Sequence, residues 1–254
     1  MTKFILAAGF MVALLVLQTP ARAQDHTFVS GAGDDINPCS RSMACRTFAG
    51  AIGKTAAGGT ISVLDSAGYG SVIISKSISI VADGAQAMVL SGGGGAGINS
   101  AIRIAAGAND EVHLRGLLIQ SSPSGSNGIE ITTAGAVHIS HCLIRGHQSG
   151  SGIILSSATK TRVFVEDCDI ALTQNGIVVT QGESEIVLDR VRLLRNQTGI
   201  LSKNNLTIFH VADSVMAYNG VAVGQVGGRI LSTRTNALVG NDDDGQGMGQ
   251  ETLK

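Results

Sequence analysis

Asn127-Gly128-Ile129-Glu130-Ile131, Ser151-Gly152-Ile153-Ile154-Leu155, Asn175-Gly176-Ile177-Val178-Val179 and Thr198-Gly199-Ile200 are versions of one phrase, and Asn219-Gly220-Val221 reads as a fifth. Each places a small polar residue before a glycine and a β-branched residue after it. The glycines are 24, 24, 23 and 21 residues apart. Self-similarity at a nearly fixed period of this length marks a stacked repeat. Every unit carries a second alternating run: Val112/Leu114, Val137/Ile139, Val163/Val165, Ile186/Leu188 and Phe209/Val211.

Alternation in pieces this short reads as strand. No helical run of ten or more residues (roughly three turns) separates the pieces, which excludes a sheet wound through crossover helices. Sandwiches and barrels use antiparallel hairpins and do not hold one register so strictly. Strands that recur every ~23 residues can bury their inner faces only by coiling, each coil adding one strand to each wall and rising ~4.8 Å. The predicted fold is therefore all-β, a single-stranded right-handed parallel β-helix over residues 59–240, with roughly seven or eight coils and a length of ~35 Å.

Composition agrees. The 254 residues include 34 Gly, 3 Pro and no Trp, with aromatics at 3%. Glycine at this level without a collagen period fits many tight turns. An apolar fraction of 44% is enough for a packed core. The formal charge of −1 offers no footprint for nucleic acid or an anionic membrane.

Residues 1–23 read as a cleavable export signal: Lys3, an apolar run from Phe4 to Leu17, and the cleavage site Ala21-Arg22-Ala23. The run is short of the ~20 residues a spanning helix needs, with a retained signal anchor as the alternative, and no later segment qualifies as a transmembrane helix. The expected location is the periplasm or the extracellular medium.

Export makes the cysteines readable. A disulfide between Cys39 and Cys45 would close a small loop and stabilise by roughly 2 kcal/mol. A metal site there would lack a second cysteine pair or a nearby histidine pair, so the disulfide is expected. In-register stacking puts Leu117, Cys142, Cys168, Val191 and Ser214 in one inward column. Cys142 and Cys168 are then neighbours on adjacent coils, either as buried thiols or bridged, and the thiol form suits the geometry better. Thr47 is a predicted N-cap for a helix to about Ala57, with Phe48, Ile52 and Ala56 on its apolar face, closing the N-terminal end of the solenoid. This divides the chain into a signal (1–23), a disulfide loop with the capping helix (24–58), the solenoid (59–240) and a polar tail (241–254).

With these residues in hand, the chain resembles a family of exported bacterial right-handed β-helix repeat proteins of uncharacterised function, within the pectin-lyase-like superfamily. The resemblance rests on Gly33-Asp34-Asp35, Asn37-Pro38-Cys39-Ser40, Cys45-Arg46-Thr47-Phe48-Ala49, Thr55-Ala56-Ala57-Gly58-Gly59 and Lys76-Ser77-Ile78-Ser79-Ile80. It implies fold and export, and brings no catalytic residues. The wider superfamily includes pectate lyases, polygalacturonases, carbohydrate-binding β-helices and phage tailspikes, among which fold alone does not choose.

The densest ionisable patch follows the second run. One column reads Gly116, His141, Asp167, Arg190, Asp213; the next reads Leu118, Leu143, Asp169, Arg192, Val215; Glu166 and Asp189 stack in a third. As chemistry, Asp167, Asp169 and Asp189 would hold Ca²⁺ while Arg190 or Arg192 abstracts a proton. As structure, Asp167–Arg190–Asp213 and Asp169–Arg192 are surface ion pairs worth about 0–1 kcal/mol each, and the alternation in sign favours this reading. His113 and His138 stack outward on adjacent coils, where two imidazoles could share a metal. No carboxylate is evident beside them, so exposed histidines without a metal are expected.

Glu130, Ile154, Val178, Leu201 and Ala222 form an outward column on the first strand, and His138, Phe164, Val187 and His210 form one on the second. Ile154, Val178, Leu201 and Phe164 are thus a candidate interaction wall, either covered by the chain itself or used for self-association or a surface partner. Asn196-Gln197-Thr198 and Asn205-Leu206-Thr207 match the glycosylation sequon. Glycines 92–97 follow no strand-to-helix pattern and are not a nucleotide fingerprint. The functional expectation is a non-catalytic envelope or extracellular protein that binds a glycan, a surface or a partner without a cofactor. The alternative is a polysaccharide lyase or glycoside hydrolase acting on an acidic polysaccharide, with Ca²⁺ in the lyase case.

Overall fold

The repeat phrase is built around a close approach of backbones. A Cβ on Gly176 would lie 2.5 Å from the carbonyl oxygen of Gly199, one coil further on, and a Cβ on Gly199 would lie 2.6 Å from that of Ala222. Only glycine fits there, which is why it recurs. The same contact corrects the register of the fifth repeat. Thr198 pairs with Val221 and Ile200 with Val223, so Gly199 stacks on Ala222 and not on Gly220. The period stays regular, and the shortened sequence spacing comes from matching the wrong glycine.

The structure, a computed structural model, describes residues 23–91, 99–122, 126–233 and 235–250. Nearly all of the expected export signal and all of the glycine-rich 92–97 run lie outside the described residues. Every strand pairing runs parallel, in sheets of ten, eight and eight strands. A coil takes one strand from each sheet, as in Ala136–Ser140 of sheet A, Leu143–Arg145 of sheet B and Ser151–Ser156 of sheet C. Nine strand spacings in sheet A make a rod about 43 Å long. The solenoid outruns the expected 59–240 boundaries at both ends. Gln24–Val29 is the first strand of sheet A, and the polar tail contributes Asp243–Gly245 to sheet C and Gly249–Gln250 to sheet A.

The inward residues fill one continuous core in which Ile80, Leu114, Ile139, Val165, Leu188 and Val211 are all buried. Leu117, Cys142, Cys168, Val191 and Ser214 form the expected buried column. Cys142 and Cys168 are both free; the Cys142 N–H donates to Cys168 Sγ at 3.3 Å. The hydrogen bond between the thiols, together with burial, holds the Cys168 thiol above its ordinary pKa. Cys39 and Cys45 are joined by a disulfide.

The capping helix spans only Phe48–Ile52, not the expected run to Ala57. Gly53 ends it, and Thr55 begins a strand, Thr55–Val63, laid against Gln24–Val29. Thr55 is β-branched and fully buried, and its hydroxyl meets that of Thr27 at 2.8 Å. Phe48 and Ala51 still close the end of the core, Phe48 packing on the Tyr69 ring at 5.2 Å. Asp35 fixes the cap by accepting from the Thr47 hydroxyl and the N–H groups of Arg46 and Thr47. Burial would raise the Asp35 carboxyl, but these bonds and Lys54 hold it below its usual range.

Candidate functional site

The corner between sheets A and B is a single left-handed residue per coil. Gly116, His141, Asp167, Arg190 and Asp213 all have φ between 47° and 74°. Polar side chains tolerate that conformation best among non-glycine residues, so the turn that closes each coil also concentrates charge along one edge. Glu166 pairs with Asp189 at the outer edge of sheet A, and Asp169 with Arg192 at the near edge of sheet B.

Of the expected candidates, Asp167, Asp189 and Arg190 are brought together. Arg190 donates through Nε and Nη2 to Asp167, at 2.8 and 3.1 Å, and also to Asp189 and Glu166. Arg192 forms a separate two-bond pair with Asp169. Among the described residues Arg190 makes no ion pair with Asp213, which corrects the expected three-residue alternation; its guanidinium turns back towards the preceding coil. The bond from Arg190 lowers the Asp167 carboxyl below its usual range. Hydrogen bonds to Asp167 and Glu166 push Arg190 still further above the ordinary arginine value, and Asp169 does the same to Arg192. A base must be able to lose its proton, and these contacts oppose that loss. The depression beside the turn, about 300 Å³, is lined by His141, Asp167, Asp169, Arg190 and Arg192.

The open wall of sheet A lies next to this edge. Its central outward column runs His113, His138, Phe164, Val187, His210, Leu231. The rings of His113 and His138 stack at 4.6 Å and 12°, and those of His138 and Phe164 at 4.6 Å and 11°. The expectation that no carboxylate stands beside the histidines is overturned. Glu111 lies two residues before His113 on the same face, and its Oε1 is 3.1 Å from His113 Nε2 and 3.0 Å from His138 Nε2. The signal was in the sequence, because residues i and i+2 of a strand share a face. Burial and the neighbouring His113 lower the His138 imidazole, with Glu111 acting the other way. On the far side of the wall an open groove of about 580 Å³ is lined by Asp110, Glu111, Ala136, Lys160, Arg162 and Glu185, among others. Lys160 pairs with Glu183 at 2.6 Å. Arg162 is exposed, and no ion pair engages it among the described residues.

The candidate interaction wall on sheet C is less open than expected. Val178 is only 2% exposed, and Ile154 and Leu201 are half-buried. The column ends at Gly224, paired with Leu201, and not at Ala222, which is fully buried. Glu130 at its head is held by Arg103 at 3.0 Å and by the Ser100 hydroxyl. Phe164 belongs to the sheet A wall, half-buried against His138.

At the corner between sheets B and C, sequence reasoning missed a buried polar column: His147, Thr173, Asn196, Asn219 and, further along, Asn241. Asn196 Oδ1 accepts from the Thr173 N–H and hydroxyl, Asn219 Oδ1 from the Asn196 N–H, and Asn241 Oδ1 from the Asn219 N–H. Asn196 is 2% exposed, so the sequon it begins has no accessible amide. The asparagine spacing of 23 and 22 residues was the available signal.

Comparison with known proteins bears on the fold. Residues 96–243 match the family described as the right handed beta helix region. The chain belongs to this family. No curated protein matches it. Among solved structures, this β-helix protein is similar to the pectate lyase Pel9A, at 10% identity and a TM-score of 0.46, over 90% of this chain and 78% of that one. It is also similar to a pectin methylesterase from Aspergillus niger, at 10% identity and a TM-score of 0.48, over 90% of each chain. No helix among the described residues is long and apolar enough to cross a membrane.

Proposed function

We propose that this protein is a non-catalytic, exported β-helix that binds an extended glycan along the open wall of sheet A. The observation that carries the reading is the state of Arg190, whose guanidinium is engaged by Glu166, Asp167 and Asp189 together. Asp167 and Asp189 are two of the three carboxylates a lyase reading gives to Ca²⁺, and Arg190 is one of its two candidate bases; the third carboxylate, Asp169, is held by the other candidate, Arg192. The one guanidinium ties carboxylates of adjacent coils together along the edge of the wall. The wall itself offers a flat, parallel, polar surface whose groove carries the carboxylates of Asp110, Glu111 and Glu185 beside the exposed Arg162, which suits the hydroxyl groups of an extended glycan better than a small molecule. The stacked rings present mainly their edges, because His138 is covered on both faces, so sugar stacking contributes little and charge and hydrogen bonds carry recognition. The disulfide suits an oxidising compartment and hence export.

Affinity electrophoresis through gels containing polygalacturonate, alginate or a neutral glucan tests this reading. Retardation by at least one of these polymers, weakened by Arg162→Glu, is the expected result. Equal mobility in all gels would end it.

A further inference from the structure

The cluster at one end of the central column of sheet A holds three donors of mixed type on two rigid strands. His113 and Glu111 come from Glu111–Arg115 and His138 from Ala136–Ser140, with His113 directly paired to His138 in the ladder. The ligand atoms of all three lie within 4.8 Å of one another. One carboxylate oxygen is shared by both Nε2 atoms at 3.1 and 3.0 Å. A Zn²⁺-type ion bonds imidazole nitrogen and carboxylate oxygen at about 2.0–2.2 Å, so donors of a common tetrahedron stand roughly 3.4 Å apart. The three atoms are therefore close to a shared centre before any ion arrives.

We propose that Glu111, His113 and His138 form a binding site for one divalent ion of the Zn²⁺, Cu²⁺ or Ni²⁺ class. Two imidazoles and one carboxylate select that class over Ca²⁺ or Mg²⁺, which take oxygen ligands. Coordination through Nε2 takes each neutral imidazole in its Nδ1–H tautomer, so a ring proton that would otherwise face Glu111 moves to Nδ1 by exchange with water and no net proton is lost. The rings tilt from their parallel stack towards the ion, and Glu111 reaches it across the small side chain of Ala136, its neighbour in the ladder. Phe164 backs His138 on the side away from His113 and limits where that ring can go. The histidine side chains are 45% and 36% exposed, so the remaining coordination positions face solvent and are filled by water or by a donor group of a bound ligand. This site does not involve the charged turn; it shares the sheet A wall with the proposed glycan surface, Glu111 lining that groove as well, but it does not rest on that reading.

Titration of the untagged mature protein with ZnCl₂ at constant pH, followed by calorimetry and by the visible absorption of a parallel Co²⁺ titration, tests it. One equivalent of Zn²⁺ is expected to bind, with Ca²⁺ giving no heat. Glu111→Gln, His113→Gln and His138→Gln should each weaken binding at least about tenfold, whereas His141→Gln leaves it unchanged. All four side chains are on the surface, and circular dichroism verifies that each variant is folded. Absence of saturable Zn²⁺ binding overturns the proposal, as does binding that survives the loss of both histidines.

Discussion

Asn241 Oδ1 accepts two hydrogen bonds from Asn219, one from the backbone N–H at 2.9 Å and one from the side-chain amide at 3.0 Å. Asn219 is 1% exposed, and its amide also donates to the carbonyl of Leu193. The ladder satisfies backbone groups at a corner where the chain leaves one sheet and the next strand has not begun. Asn219→Ala strands several buried donors and acceptors at once, each costing about 1–3 kcal/mol. Chemical denaturation should show a loss of about 2–4 kcal/mol. A loss within error of zero would mean that water replaces the amide.

His147 occupies the equivalent corner two coils before Asn196 and has no exposed surface. Burial lowers its imidazole from 6.5 to about 4. The unfolded chain therefore binds a proton below pH 6.5 that the folded chain refuses until about pH 4, and stability falls as pH drops through that window. At 1.36 kcal/mol per unit the full effect is about 3 kcal/mol. Melting curves between pH 7 and 4.5 should show this decline, and His147→Asn should flatten it. Parallel curves for the two proteins would show that His147 does not titrate differently on unfolding.

The cysteines divide into one bridge and two sheltered thiols. Alkylation of the native, unreduced protein should label none of them, and alkylation after unfolding should label Cys142 and Cys168 only. Four labelled cysteines would remove the bridge; none after unfolding would place a second bridge between adjacent coils.

The strands and their inward columns were readable from sequence because burial imposes strict alternation, and stacking repeats it at one period. Gly199 shows where that reading slips: Gly220, two residues before Ala222, mimics the repeat, and only the closeness of Gly199 to the Ala222 carbonyl selects the register. The helix was overextended because Ala56 and Ala57 suit a helix as well as a strand, and pairing with Gln24–Val29 decided between them. Asp167, Asp189 and Arg190 were placed together by register alone, although which carboxylates the arginine would take depended on its rotamer. Glu111 is invisible to a comparison along the column because it neighbours His113 along the strand, two residues before it on the same face. Val178 was read as open because alternation gives direction, and direction is not exposure.

The charged turn is a set of ion pairs, and under the proposed function it is not a cation-dependent active site. Removing Arg190 should leave the melting temperature almost unchanged, since exposed pairs contribute little, and Ca²⁺ should not raise it in the unaltered protein. The most direct measurement is the release of new chain ends from polygalacturonate incubated with the purified protein, with and without Ca²⁺. No release above the rate without protein is predicted. Calcium-dependent release that disappears in both Arg190→Ala and Asp167→Asn would contradict the account and make the turn a lyase site.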